Sequence, residues 1–144
     1  MNFSVIDMFQ SGIKRLDPVM KAHGFTWEAL SAGNGSGGPF TSGRYVKGDR
    51  WLELHFRYSL GLVTYGIGDL SIEHEEYMRH SAPRGAAHYP GFSDDPLDGF
   101  DHLAHDLSMY ATDFLSGPGD ELRSAKVASE KRAKTSGFQR LGGT

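Results

Sequence analysis

The sequence predicts an α+β domain: an N-terminal amphipathic helix, an antiparallel four-stranded meander sheet, and C-terminal helices packed on one sheet face. Three observations predict it. Apolar residues first recur at steps of three and four, the helical period. They then alternate along short runs rich in β-branched and aromatic residues, punctuated by glycine. The helical period returns in the last third of the chain. At 144 residues the whole chain, 1–144, reads as one domain able to bury a core without metal or disulfide staples.

The first helix is expected from Ser4 to His23, with Phe3, Ile6, Phe9, Ile13, Leu16 and Met20 as its apolar stripe. Pro18 falls inside it and should kink the helix, or restart it with Asp17 as a new N-cap. Gly24 is a natural stop. Phe25–Leu30 reads as a short strand. The stretch Gly33–Pro39 is too rich in glycine for regular structure. A hairpin follows, with strands Phe40–Val46 and Trp51–Arg57 around a two-residue Gly48-Asp49 turn. That turn sets Tyr45 opposite Leu52, Arg44 opposite Glu53 and Val46 opposite Trp51.

A loop over Tyr58–Gly61 leads to a fourth strand, Leu62–Ile67. The expected pairs are Phe56 with Val63, Leu54 with Tyr65 and Leu52 with Ile67. Tyr45, Leu52, Leu54, Phe56, Val63, Tyr65 and Ile67 then share a dry face. The opposite face is mixed: Arg44, Val46, Trp51, Glu53, His55, Arg57, Leu62 and Thr64.

Leu70–Glu76 reads as a helix start capped by Ser71, with the helix ending near His80 and a loop over 81–94. The next helix starts at Asp95-Pro96 and buries Leu97, Phe100, Leu103, Leu107, Tyr110 and Phe114. Gly117-Pro118-Gly119 stops it. A last helix is expected from Asp120 to about Lys134, with about 135–144 a frayed tail.

Composition excludes several functions. There is no cysteine, so thiolate chemistry, disulfides and Cys-ligated zinc or iron–sulfur sites are ruled out. The absence fits a reducing cytoplasm. No run approaches a membrane span, and the first residues lack a basic n-region, so no signal peptide or membrane partner is read. Net charge is −3, split into −6 over residues 1–119 and +3 over 120–144. An acidic body argues against a nucleic-acid binder. The basic tail (Arg123, Lys126, Lys131, Arg132, Lys134, Arg140) reads as a solvated helix face.

Four features invite a functional reading. His102 and His105, with Asp98 and Asp101 upstream, should share the helix face away from the apolar stripe, a spacing that can chelate zinc or iron. Further ligands would have to come from His74, Glu75, His80 or His88, and no spacing dictates one. His74-Glu75 lacks the second histidine at i+4 that a zincin needs. No metal or other cofactor is therefore assigned. The glycine stretch at 33–38 lacks a Gly-Lys-Ser/Thr ending and reads as a connection, not a phosphate cradle. No Gly-x-Ser-x-Gly elbow occurs, and no catalytic residue is assigned.

The strongest candidate is the mixed sheet face: Arg44, Trp51, Glu53, His55 and Arg57. Trp and Arg dominate protein-binding hot spots. An acid, an imidazole and a guanidinium in a row also suit an anionic ligand or acid–base chemistry.

A helix ending Pro18-Val19-Met20-Lys21-Ala22-His23-Gly24-Phe25, a meander carrying Leu52-Glu53-Leu54-His55-Phe56-Arg57, and then helices resembles small bacterial α+β domains. These include uncharacterised families and the immunity proteins that neutralise polymorphic toxins. The resemblance covers element order over most of the chain. It implies a non-enzymatic binder whose partner is another protein. The alternative is a small-molecule-binding domain or enzyme using His55, Glu53 and Arg57, or a metal site including His102 and His105. Free edge strands leave room for a homodimer.

Overall fold

The computed structural model describes residues 5–35, 38–91 and 93–142, with side chains described as far as 135. Phe3 and Ser4 of the expected first helix, Ser36 and Gly37 of the glycine stretch, and the last two residues of the expected tail lie outside the described residues.

The first helix, α1, runs Val5–Ala22. Phe9, Ile13, Leu16 and Met20 bury one stripe as expected, whereas Ile6 is 45% exposed and lies off it. The helix is continuous through Pro18. Asp17 is not a cap: its carboxylate accepts the Tyr45 hydroxyl at 2.6 Å. Gly24 follows with positive φ, as a helix stop requires.

The sheet has five strands in meander order: β1 Thr26–Gly35, β2 Gly38–Lys47, β3 Arg50–Phe56, β4 Leu60–Ile67 and β5 Leu70–Glu73. Three expectations are corrected here. The described glycines of the stretch are not irregular. Gly33 pairs with Phe40 and Gly35 with Gly38, so β1 and β2 close into one long hairpin, with a bulge between Ala29 and Ser31. Backbone pairing to β2 stabilises glycines whose own propensity opposes a strand.

The second correction is β3–β4 pairing. Leu54 faces Val63 and Leu52 faces Tyr65, each two residues away from expectation, and Phe56 faces Leu60, three away. The turn is shorter than assumed, because β4 starts at Leu60, and a bulge lies between Leu54 and Phe56. A slip of two preserves side-chain parity, so the division into dry and wet faces holds. The β2–β3 pairs hold as predicted: Tyr45 with Leu52, Arg44 with Glu53, Val46 with Trp51.

Third, Leu70–Glu73 is a strand, not a helix start. Gly68-Asp69 makes the same turn as Gly48-Asp49: both glycines have φ of 59° and both turns join adjacent antiparallel strands. Ile72 thus reaches the dry face opposite Tyr65. Helix α2 (His74–Ser81) begins only after Glu73, and Ser71 plays no part in its cap.

The C-terminal helices are α3 (Asp98–Tyr110), α4 (Thr112–Ser116) and α5 (Asp120–Gly142). Asp95 does not begin α3 but forms a turn before it, its carboxylate accepting the Leu97 N–H at 2.9 Å. The predicted single helix is broken at Ala111, which lets Phe114 reach the core from α4. Lys47 and Arg50 donate to the carbonyls of α4: Lys47 to Leu115, Arg50 to Asp113 and Phe114. Cations at a helix C-terminus satisfy its orphan carbonyls and oppose its dipole. Asp113 in turn accepts the N–H groups of Gly119 and Glu121, capping α5, which runs past its expected end near Lys134.

One core joins these layers. Phe9 of α1 stacks on Phe56 of β3, and Phe56 meets Phe100 of α3. Phe114 of α4 meets Phe25 and Tyr65. A Cβ at Gly12 would overlap the Phe100 ring, so glycine lets α1 and α3 approach closely.

Candidate functional site: the open sheet face and a buried relay

Tyr45, Leu52, Leu54, Phe56, Val63, Tyr65, Ile67 and Ile72 all face the helices. The opposite side of the sheet carries Arg44, Trp51, Glu53, His55 and Arg57, each half-buried. The Trp51 indole lies across Gly66 of β4, where a Cβ would overlap it, and donates its N–H to the Gly68 carbonyl at 3.2 Å. A flat aromatic shelf results. Glu53 and His55 come together, carboxylate to Nε2 at 3.0 Å. Arg44 bonds not its expected partner Glu53 but Glu28 of β1, at 2.9 Å. Arg57 lies over the Phe40 ring at 5.7 Å. The five residues therefore share one face without converging on one point.

A cleft lies elsewhere. It measures about 770 Å³ and sits where β5 turns into α2, between Leu62 and Val63, Met78 and the loop at Ala82–Pro90. Glu73, Glu75, Arg79 and Arg84 line it, and Arg79 is held by Glu75 and Glu76. His74 forms part of its wall, but both ring nitrogens are engaged.

That engagement is part of a buried polar network. Asp106 is fully buried on the inner side of α3. One carboxylate oxygen accepts His74 Nε2 at 2.9 Å and the Tyr89 N–H at 2.9 Å. The other accepts the His88 N–H at 2.7 Å and His105 Nδ1 at 2.8 Å. A carboxylate only accepts, so His74 donates from Nε2 and its Nδ1 takes the Tyr65 hydroxyl at 2.8 Å. Burial pushes the Asp106 pKa up. The bonds from His74, the two backbone N–H groups and His105 outweigh it and hold the carboxyl down at about 2. Burial drives the Tyr65 hydroxyl well above its usual range, and that of Tyr89 up to about 12. Each phenol stays neutral and donates: Tyr65 to His74, and Tyr89 to the Leu60 and Gly61 carbonyls.

The relay ties α2, α3, β4 and the 82–97 loop together. Both ring nitrogens of His74 and both carboxylate oxygens of Asp106 are engaged within it. Sequence reasoning named His74 and His105 only as metal candidates and passed over Asp106. Around α3, Asp106 lies about 60° from Leu103 and about 40° from Tyr110. A carboxylate at the edge of an apolar stripe was the available signal.

The metal candidates are dispersed. Asp98 and Asp101 face Arg15 of α1, at 3.8 and 2.7 Å. His105 Nδ1 is taken by Asp106, and its ring stacks on His88 with centroids 3.3 Å apart and planes 4° apart. Stacked rings direct their lone pairs in parallel, not at a common ion. His102 lies 6.1 Å from His88, ring to ring. Among the described residues, no group of three or more His, Asp or Glu side chains is arranged to hold a metal. No helix among them is long and apolar enough to cross a membrane.

No known family model matches the chain, and no curated protein or solved structure matches it either.

Proposed function

We propose that the chain is a non-catalytic protein-binding module of the immunity type, which engages its partner through the open sheet face. One observation carries this reading. Strands β2 to β5 bury one side against the helices, while the other side presents Trp51 as a flat shelf, with Arg44, Glu53, His55 and Arg57 on the same face. A half-buried tryptophan among charged residues is the composition of a binding hot spot, with an apolar centre and a polar rim. The cleft beside His74 includes none of the five, and residues spread over a sheet face suit a macromolecule better than a small ligand. Resemblance to immunity proteins points to a toxin domain as the partner class.

The test is photocrosslinking from residue analogues placed at His55 and, as a control, at exposed Met109 of α3, followed by direct binding of whatever is captured. Crosslinks from 55, with affinity lost in a Trp51→Ala/Arg57→Glu variant, support the reading. Crosslinks confined to 109, or unchanged affinity in the variant, would sink it.

The cleft beside His74 favours a second reading, a small-molecule site. Its volume falls within the range of ligand pockets, roughly 300–1,000 Å³. A panel of small carboxylic acids in a thermal-shift screen separates the two: stabilisation lost in Arg84→Ala favours this reading.

A further inference from the structure

The two edges of the sheet are treated differently. At one edge β5 is only four residues long, leads directly into α2 and has α5 packed beside it. A short, covered strand is a protected edge. At the other edge β1 runs ten residues, Thr26–Gly35, and pairs only with β2. Every β1 residue except Trp27 is exposed. The devices that normally blunt an edge are sparse. The strand has no lysine and no proline, its one bulge interrupts the ladder at a single point, and its only charge, Glu28, is already paired with Arg44.

We propose that this edge pairs with the β1 edge of a second copy of the chain, making one continuous antiparallel ten-strand sheet across a two-fold axis. Self-pairing is favoured over a foreign strand by how β1 matches itself. A two-fold axis between Leu30 and Ser31 sets Glu28 opposite Gly33, Ala29 opposite Ala32 and Thr26 opposite Gly35. No like charges meet, and the small residues allow close backbone approach. The same axis brings the two copies of Leu30 together. Leu30 is 42% exposed in the isolated chain, a large apolar side chain at the bulge that reaches solvent. A strand-only interface is smaller than the standard ~1,600 Å², so the dimer is concentration-dependent. It leaves the open faces of both copies uncovered and does not rest on their proposed use.

Sedimentation velocity of the full chain, from low micromolar to several hundred micromolar, tests this. The expected result is a shift from monomer to dimer that Leu30→Lys abolishes. That substitution falls at an exposed side chain, so its thermal midpoint should match wild type. Hydrogen exchange on the wild type keeps the test decisive if the variant fails to fold: β1 amides should slow as concentration rises, and those of β5 should not. A wild type that stays monomeric throughout overturns the proposal. So does a dimer that survives Leu30→Lys, or one whose β1 exchange is independent of concentration.

Discussion

Replacing Asp106 with asparagine should be among the most damaging single changes this fold can suffer. The carboxylate is fully buried and accepts four hydrogen bonds, two from backbone N–H groups and two from imidazoles. An asparagine keeps the shape but turns one oxygen into a donor. Facing His88 N–H and His105, or Tyr89 N–H and His74, that new donor meets two others. Hydrogen bonds to a charged group contribute about 1.5–3 kcal/mol each, and breaking a buried charged network costs about 3–5 kcal/mol. Urea unfolding at neutral pH, followed by circular dichroism, should report a loss in that range. The thermal midpoint should fall by roughly 10 °C for a chain of this size.

The pH dependence gives an independent check. Asp106 titrates at about 2 in the folded chain against 3.8 for an ordinary carboxyl. A depressed carboxyl contributes stability above its unfolded pKa and loses it as pH falls through the folded one. The wild type should therefore lose about 2 kcal/mol from this group between pH 4 and 2, a slope that Asp106→Asn lacks. A variant within 1 kcal/mol of wild type, with the same acid slope, would refute the reasoning.

Other predictions rest on separate contacts. Arg50→Ala removes the guanidinium that donates to the Asp113 and Phe114 carbonyls and should cost about 2–3 kcal/mol by chemical denaturation. Gly12→Val places a side chain where the Phe100 ring lies and should cost about 1–3 kcal/mol or more, read as a lower thermal midpoint. Zinc should leave the thermal midpoint unchanged, because His105 is committed to Asp106 and His88 stacks on it; elemental analysis showing stoichiometric metal would contradict this.

Face assignment was legible in the sequence because strand parity survives errors of two. Leu52, Leu54, Val63 and Tyr65 reach the dry face although the β3–β4 pairing expected for them was displaced. Pairing itself was not legible, since no residue marks the bulge between Leu54 and Phe56. β5 was missed because acids after Ser71 resemble a helix N-terminus, yet the Gly-Asp turn that set the first hairpin recurs at Gly68-Asp69. The five face residues could be named from alternation alone. Their partners could not: Arg44 found Glu28 because β1 pairs with β2 in a register that sets Glu28 directly against it, and no turn residue marks that register. Asp106 went unread because Asp98, Asp101, His102 and His105 were read as the polar face of α3, and Asp106 borders that face. Only its geometry against His74, on the preceding helix, shows what it holds.

The central claim is that the uncovered sheet face is where this protein meets its partner. Titration calorimetry with the partner captured by crosslinking tests it most directly, comparing wild type with Trp51→Ala/Arg57→Glu. Hot-spot residues lose at least about 2 kcal/mol when truncated, or roughly 30-fold in affinity, so a loss of that size with an unchanged thermal midpoint is the predicted result. Equal affinity for both proteins would contradict the account.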